Sequence, residues 1–169
     1  MQQEITHIIH QHKGKIYRTC LGFAGNPEDA KDIFQEVCIH LWVGIATFKG
    51  QAQLSTWIYR ITVNTCLLFI RKNRSKLEVS LETISEPATE NTHADESMDT
   101  KLHLLRAFIQ ELPEQDRLLI ILSLEGLSYS QISEVTGLSS NHIGVKVNRI
   151  KKILTKKFNH HGEFKINLE

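Results

Sequence analysis

The side chains best suited to binding chemistry lie between positions 139 and 157, where polar and basic residues recur at helical spacing. Six Lys or Arg residues fall between Lys146 and Lys157, and no Asp or Glu occurs between Glu134 and Glu163. A surface that carries only positive charge attracts a polyanion such as nucleic acid. The alternative is an ordinary helical hairpin whose lysine face is simply solvated.

Two short helices must position these side chains. Ser128, followed three residues later by Gln131, predicts a capping box at the start of the first helix. Gly137 supplies a left-handed turn, and Ser139 is a suitable N-cap for a second helix. That second helix has a narrow apolar stripe made by Ile143, Val147, Ile150 and Leu154. A helix, a tight turn and a second helix with a basic outer face predict a helix-turn-helix that reads a major groove.

The face opposite the apolar stripe holds the candidate contacts to duplex DNA. They are Ser140, Asn141, His142, Val145, Lys146, Asn148, Arg149 and Lys152. An apolar side chain such as that of Val145 suits the methyl group of thymine. A single exposed valine is equally normal on a protein surface, so both interpretations stay open.

The charge of the chain is strongly partitioned, although its net value is only +1. Residues 1–76 carry ten Lys or Arg against five Asp or Glu, a net +5. Residues 77–100 carry seven acids and no Lys or Arg, and residues 101–169 have a net charge of +3. Because the central segment also loses apolar periodicity, the sequence predicts two small domains joined by a flexible acidic linker. A passive solubilising tether explains this linker as well as any specific role does.

The amino-terminal block offers surfaces of opposite sign. Asn26, Pro27 and the acids after them mark a strong helix start. An acidic stripe then runs through Asp29, Asp32 and Glu36, separate from the apolar face formed by Ala30, Ile33, Phe34, Val37 and Leu41. A solvated acidic face is the ordinary interpretation. From Val37 to Leu77, however, there are six Lys or Arg and no acid. One polyanion cannot satisfy both surfaces, so two different partners are expected.

A long helix is predicted within this basic interval, from about Thr56 to Arg71. Its expected inward residues are Ile58, Ile61, Thr65 and Leu68. Aromatic side chains beside Arg60 and Asn64 suit single-stranded nucleic acid, because unpaired bases stack on rings while cations hold phosphate. For Trp57 a plain core position is favoured.

Several functional classes lack support in the sequence. Cys20, Cys38 and Cys66 are widely spaced in apolar helical contexts, which is typical of small buried thiols rather than disulfides or a zinc site. The nine histidines have no matching carboxylate or thiolate set, and no nucleophile–base or phosphate-loop pattern occurs. The sequence also lacks a secretory signal and any apolar run long enough to cross a bilayer. We therefore expect a cytoplasmic protein that is not an enzyme and needs no metal or cofactor.

Three stretches taken together resemble a known family. They are NPEDAKDIFQEVCIHLW, FKGQAQLSTWIYRITVNTCLLFIRK and LPEQDRLLIILSLEGLSYSQISEVTGLSSNHIGVKVNRIKKIL, and they span roughly residues 5–157. In this order they resemble the extracytoplasmic-function class of bacterial RNA polymerase sigma factors. The resemblance implies an all-α fold with two helical domains, region 2 within 1–76 and region 4 within 101–169, joined by the linker at 77–100. It implies core RNA polymerase, promoter DNA and an anti-sigma factor as partners, without membrane insertion.

The resemblance also assigns roles to matching residues. Region 2 would dock on core polymerase through Asp32, Gln35, Glu36, Leu41 and Trp42. It would capture the melted −10 element through Phe48, Lys49, Gln51, Arg60, Asn64, Arg71 and Lys72. Region 4 would read the −35 element as duplex through the helix-turn-helix. The acidic linker would follow a path built for RNA (a hypothesis). The alternative function is a free-standing helix-turn-helix regulator, which would bind an operator without polymerase.

Overall fold

A computed structural model describes residues 2–79 and 96–160, and within those residues the regular structure is entirely helical. The helices are α1 (Gln2–Ala24), α2 (Pro27–Gly44), α3 (Leu54–Val79), α4 (Glu96–Gln110), α5 (Glu114–Leu124), α6 (Tyr129–Thr136) and α7 (Ser140–His160). A short 3-10 turn, Ile45–Thr47, follows α2. The predicted all-α fold of two helical bundles is confirmed.

The first bundle consists of α1, α2 and α3, each packed against the other two. The start of α2 is as predicted: Asn26 Oδ1 accepts a hydrogen bond from the Asp29 backbone N–H at 2.9 Å, and Pro27 opens the helix. The predicted apolar face of α2 is buried at Ala30, Ile33, Val37 and Leu41, and Phe34 is partly buried. A side-chain contact of 2.9 Å between His40 and Thr65 joins α2 to α3.

Helix α3 is longer than predicted, and its buried face is broader. Ile58 and Thr65 are buried as expected, but Leu68 is 61% exposed, so that part of the prediction is wrong. A single stripe was expected, yet α3 packs against α1 and α2 and also against α6 of the second bundle. With neighbours on several sides, α3 also buries Tyr59, Thr62, Val63 and Cys66.

The second bundle consists of α4 to α7, with α5 at its centre. Every residue of the aliphatic run Leu118–Leu122 is buried. A helix buried on all sides needs apolar residues on all sides, which is why this run shows no amphipathic period. The predicted stripe of α7 is wholly buried at Ile143, Val147, Ile150 and Leu154, and Phe158 extends it by one further turn.

The predicted linker lies mostly outside the described residues. Helix α3 continues to Val79 and α4 begins at Glu96, so helical backbone occupies both ends of the 77–100 segment. The prediction of a flexible acidic connector concerns residues 80–95 above all, and the structure does not describe these.

The two bundles pack directly against each other. Gly22 of α1 lies so close to α5 that a Cβ built on it would be 3.0 Å from Cδ1 of Ile121. Gln110 Nε2 donates to the Gly22 carbonyl at 2.6 Å, and Arg18 binds Glu125. The absence of a side chain at Gly22 therefore permits this close approach of α1 to α5.

Candidate nucleic-acid interface

The helix-turn-helix has the local geometry that the sequence predicts. Ser128 Oγ accepts from the Gln131 backbone N–H at 3.2 Å, and Gln131 Oε1 accepts from the Ser128 N–H at 2.9 Å. Gly137 has φ of 77°, the left-handed conformation that ends α6. Ser139 caps α7, since its Oγ accepts from the His142 backbone N–H at 3.4 Å. These contacts fix the angle at which α7 leaves α6.

The outer face of α7 collects seven of the eight residues predicted to contact duplex DNA. Exposed side chains in the first three turns and just beyond are Ser140, Asn141, His142, Val145, Asn148, Arg149 and Lys152. Val145 is 72% exposed at the middle of this face. A polar and basic helix face with one central apolar side chain has the chemistry needed to bind base edges and phosphates.

Lys146 is the exception on this helix. Its Nζ donates to Oδ1 of Asp116 and to Oε1 of Gln115, both at 2.8 Å. Arg149 Nη2 donates to the other Asp116 oxygen at 3.1 Å. Burial raises the pKa of Asp116, but the hydrogen bonds and charges of Lys146 and Arg149 outweigh it and leave that pKa below its ordinary value. Sequence reasoning missed Asp116 because it precedes α7 by more than twenty residues.

Three of the predicted −10 residues of the first bundle, Phe48, Lys49 and Gln51, lie just before the start of α3. Phe48 stacks against Trp57 with ring centroids 5.0 Å apart, and Trp57 is partly buried. Gly50, with φ of 68°, makes the turn that follows Phe48. Lys49 and Gln51 are exposed on this loop. The loop therefore presents a cation and an amide next to an aromatic pair.

The remaining −10 candidates lie along α3 and divide into two groups. Asn64 and Lys72 are exposed. Arg60 Nη2 donates to the Glu134 carbonyl of α6 at 2.7 Å, and Arg71 Nη2 contacts Glu114 Oε1 of α5 at 3.3 Å. Packing of the two bundles thus engages two of the predicted DNA-binding cations with protein acceptors.

The predicted polymerase-binding residues lie on α2. Asp32, Gln35, Glu36 and Trp42 are exposed, as a binding surface requires. Leu41 is wholly buried in the core, so its side chain is not available to a partner and that assignment is wrong. Two apolar residues of α2 that the prediction did not include are also exposed, Ile39 at 60% and Val43 at 67%. They follow Asp32 by seven and eleven positions, a helical spacing that places all three on one face of α2.

The cysteines are free thiols, as expected. Cys20 and Cys66 are buried, and Cys38 is half-buried. Burial raises the pKa of the Cys66 thiol well above its ordinary value, and the neighbouring Cys20 adds to that effect. Burial also raises the pKa of Cys38. A low thiolate fraction makes Cys38 and Cys66 poor nucleophiles, and Cys20 is a buried core residue.

Comparison with known proteins places this geometry in a family. Sigma-70 region 2 matches residues 8–76, and Sigma-70, region 4 matches residues 102–154. The RNA polymerase sigma factor SigV of Bacillus subtilis is 30% identical over 147 residues, which cover 86% of each chain. The ECF RNA polymerase sigma factor SigW of the same organism is 28% identical, over 92% of this chain and 89% of SigW. The chain belongs to the extracytoplasmic-function class of sigma factors.

Solved sigma-factor structures share the fold. RpoE, crystallised with the anti-sigma factor NepR from Bartonella quintana, matches with a TM-score of 0.79 at 17% identity, over 93% of this chain and 98% of RpoE. CnrH in complex with the cytosolic domain of CnrY matches with a TM-score of 0.69 at 15% identity, over 95% and 90% of the two chains. Together, the two sigma-70 region matches and the sequence relatives show that the chain is an alternative sigma factor that directs promoter-specific transcription initiation. Among its described helices, none is both long and apolar enough to cross a membrane.

Proposed function

We propose that the sigma factor divides promoter recognition between its two bundles, with α7 reading the −35 element as duplex and the α3 end of the first bundle capturing the −10 element as single strand. The observation that carries this proposal is the separation of two cationic surfaces from a third surface on α2 that is acidic and apolar. Three surfaces of different chemistry suit duplex DNA, melted DNA and a protein partner. Core polymerase is that protein partner.

In the −35 element, the bases are contacted by side chains from the first turns of α7. The N-terminal residues of a recognition helix contact base edges in the major groove. Arg149 matches the acceptors of guanine, and Asn141 and Asn148 match adenine. Val145 is the side chain that would meet a thymine methyl, while Lys152 would bind phosphate.

For the −10 element, the Phe48–Trp57 pair and the cations beside it suit unpaired bases. Opening duplex DNA costs about 1.4 kcal/mol per stacked step, so this small protein does not melt several steps alone. A base stacked on an aromatic side chain returns roughly 1–3 kcal/mol. Core polymerase must supply the rest of the free energy, and the sigma factor selects where melting occurs.

Simultaneous recognition of both elements requires the two bundles to separate. The names of the elements put their centres about 25 base pairs apart, which is about 85 Å of duplex at 3.4 Å per base pair. In the packed arrangement Arg60 contacts α6, which itself packs on α7. Helix α7 has 21 residues and is only about 31 Å long. Separation also releases Arg60 and Arg71 for DNA.

On core polymerase, the exposed face of α2 is the proposed docking surface. Its acidic half is Asp32 and Glu36, and its apolar half is Ile39, Trp42 and Val43. Apolar anchors beside charged residues are typical of protein interfaces, where a few buried side chains provide most of the affinity. Leu41 supports this face from the core.

An anti-sigma factor is a proposed partner, supported by the complexes in which RpoE and CnrH were solved. The protein acts without catalysing a reaction of its own. It works in the cytoplasm, where core polymerase and promoter DNA are found.

Run-off transcription from genomic fragments tests the proposal, with purified core polymerase and with or without the sigma factor. A gel shift of the sigma factor alone on the same fragments accompanies it. Initiation that depends on the sigma factor, without tight binding by the protein alone, is the expected result. Tight binding by the protein alone without initiation would contradict it and favour a free-standing helix-turn-helix regulator.

A further inference from the structure

A buried carboxylate on α5 binds two cations of the recognition helix. Asp116 is the third residue of α5, and its side chain is only 7% exposed. Lys146 Nζ contacts its Oδ1 at 2.8 Å, and Arg149 Nη2 contacts its Oδ2 at 3.1 Å. Lys146 and Arg149 are three residues apart on α7, so one carboxylate reaches both from the same side of that helix.

The two cations are held in different ways. Lys146 is 21% exposed, and its ammonium also donates to Gln115, which leaves it two protein acceptors on α5. Arg149 is 61% exposed, and its contact with Asp116 runs through one terminal nitrogen. A guanidinium has five N–H donors in a rigid plane, so the other edge of Arg149 stays at the surface. The Lys146 ammonium is thus directed toward α5, whereas the Arg149 guanidinium is held by Asp116 and remains accessible to solvent.

We propose that Asp116 is a positioning residue for promoter recognition: it orients the guanidinium of Arg149 for reading a base pair of the −35 element, and it withholds Lys146 from the DNA phosphates. This inference rests on the proposed function of α7 as the −35 reader. Asp116 itself touches no DNA and acts only through these two side chains.

Both effects raise specificity. A guanidinium that is already oriented loses less side-chain freedom when it binds a base, so preorganisation favours the matched site. Each free lysine near the backbone instead strengthens binding to every sequence, because it neutralises a phosphate and releases a counterion. Holding Lys146 back lowers this sequence-independent affinity. Asp116 therefore increases the ratio of matched to mismatched affinity in two ways: it strengthens matched binding through Arg149, and it weakens sequence-independent binding through Lys146.

A purely structural role would give a different result. Helices α5 and α7 pack against each other, and both contribute wholly buried apolar side chains, including Leu119 and Leu122 of α5 and Ile150 of α7. If Asp116 only added to that packing, its loss would lower the folded fraction and weaken binding to all sequences equally. Base preference and salt dependence would stay the same.

The test uses Asp116→Asn in holoenzyme with core polymerase, with fluorescence anisotropy on promoter fragments that differ by single base pairs in the −35 element. We expect discrimination at one base pair to fall by roughly five- to a hundredfold, the range of one lost bidentate contact. Binding to mismatched fragments should not weaken. The slope of log K against log salt should become steeper by about 0.9, because Lys146 gains a phosphate.

Three further variants make the test specific. Arg149→Ala should lose discrimination at the same base pair. The double variant Arg149→Ala with Asp116→Asn should lose no more than Arg149→Ala alone, because both changes act on the contact between Arg149 and that base pair. Asp116→Glu keeps the charge and should restore part of the discrimination. Ile150→Val removes one buried methyl group of α7 and serves as the packing control, with lower thermal stability and unchanged base preference.

Lys146→Met gives a second readout that does not require Asp116→Asn to fold. If Lys146 is withheld from DNA, the slope of log K against log salt should be the same for Lys146→Met as for the wild-type protein. A slope that falls by about 0.9 would overturn the inference, because Lys146 would then bind phosphate. Unchanged discrimination in Asp116→Asn would overturn it as well. Wild-type holoenzyme with no preference in the −35 element would instead refute the proposed function itself.

Discussion

The guanidinium of Arg18 on α1 binds both carboxylate oxygens of Glu125 at the end of α5, with nitrogen–oxygen distances of 2.9 Å. The pair joins the two bundles across 107 positions of sequence. Arg18 is largely exposed, whereas Glu125 is almost wholly buried. A buried carboxylate needs its cation, so this pair favours the packed arrangement over the separated one.

Reversing one charge of this pair should shift the protein toward separated bundles. Arg18→Glu places two carboxylates together, and we expect the ratio of packed to separated molecules to fall about fivefold, equivalent to roughly 1 kcal/mol. Energy transfer between dyes on Ala46→Cys and Asn159→Cys measures the change. These positions are exposed, and the native cysteines are half-buried or buried. The exchange Arg18→Glu with Glu125→Arg should restore transfer, and an unchanged signal in Arg18→Glu would show that the pair does not hold the bundles together.

Gly22 gives a second, uncharged way to open the same contact. A methyl group at this position would lie 3.0 to 3.1 Å from Ile121, a buried residue of α5. We expect Gly22→Ala to lower energy transfer between the same two dyes, because Ile121 has little room to move away. Gly14→Ala is the matched control on α1, since its new methyl group would be 3.5 Å from Arg18. Both changes favour the helix by up to about 1 kcal/mol, so only Gly22→Ala should separate the bundles.

Tyr59 lies beside this pair, and its stability contribution should depend on alkaline pH. Burial, with Glu125 adding to it and Arg18 opposing it, raises the pKa of Tyr59 to about 12. A phenol whose folded-state pKa exceeds its unfolded value of 10 favours folding while it is neutral. That contribution is complete below pH 10 and is lost as the pH rises toward 12.

The comparison with Tyr59→Phe isolates this effect. Thermal unfolding between pH 8.5 and about 11.5 should show wild type losing more stability than the variant, because phenylalanine does not ionise. Near neutral pH the variant should be as stable as wild type or more stable by up to about 1 kcal/mol. The reason is that no described protein group hydrogen-bonds the buried Tyr59 hydroxyl. Identical pH profiles for the two proteins would contradict the raised pKa.

Local sequence signals predicted the helix-turn-helix with few errors. The capping box at Ser128, the turn at Gly137 and the stripe from Ile143 to Leu154 each depend on residues a few positions apart. Their energies are local, so the sequence contains the information directly. The residues of α7 that face outward follow from the same periodicity.

Long-range contacts account for what the sequence did not predict. Leu68 was placed inward because one stripe was assumed for α3, whereas α3 has neighbours in both bundles and also buries Tyr59. Asp116 was missed because its partners lie thirty or more positions away. Arg60 and Lys146 look like free cations in sequence, yet each has an acceptor that only the fold brings near. The charge pattern predicted the cationic surfaces on α3 and α7, but it could not show which of their side chains are free of protein acceptors.

On α2, we expect neighbouring residues to control different properties: buried Leu41 controls folding stability, and exposed Val43 controls binding to core polymerase. Leu41→Ala should cost about 2–5 kcal/mol of folding free energy, because it leaves a cavity in the core. Val43→Asp should change folding by no more than about 0.5 kcal/mol, since Val43 is exposed. It should weaken binding to core polymerase about tenfold, the effect of burying a charge where an apolar anchor belongs.

The matched control for Val43→Asp is Val145→Asp, which makes the same change on the exposed face of α7. It should leave core polymerase binding intact and abolish preference for the −35 element, because a carboxylate would face the phosphates of the groove. Assembly measured by native gel or anisotropy, together with thermal unfolding, separates these outcomes. Equal loss of core binding in both aspartate variants would mean that added negative charge, rather than the α2 surface, impairs assembly. Loss only in Val43→Asp, with an unchanged melting temperature, would place the polymerase contact on the apolar half of α2.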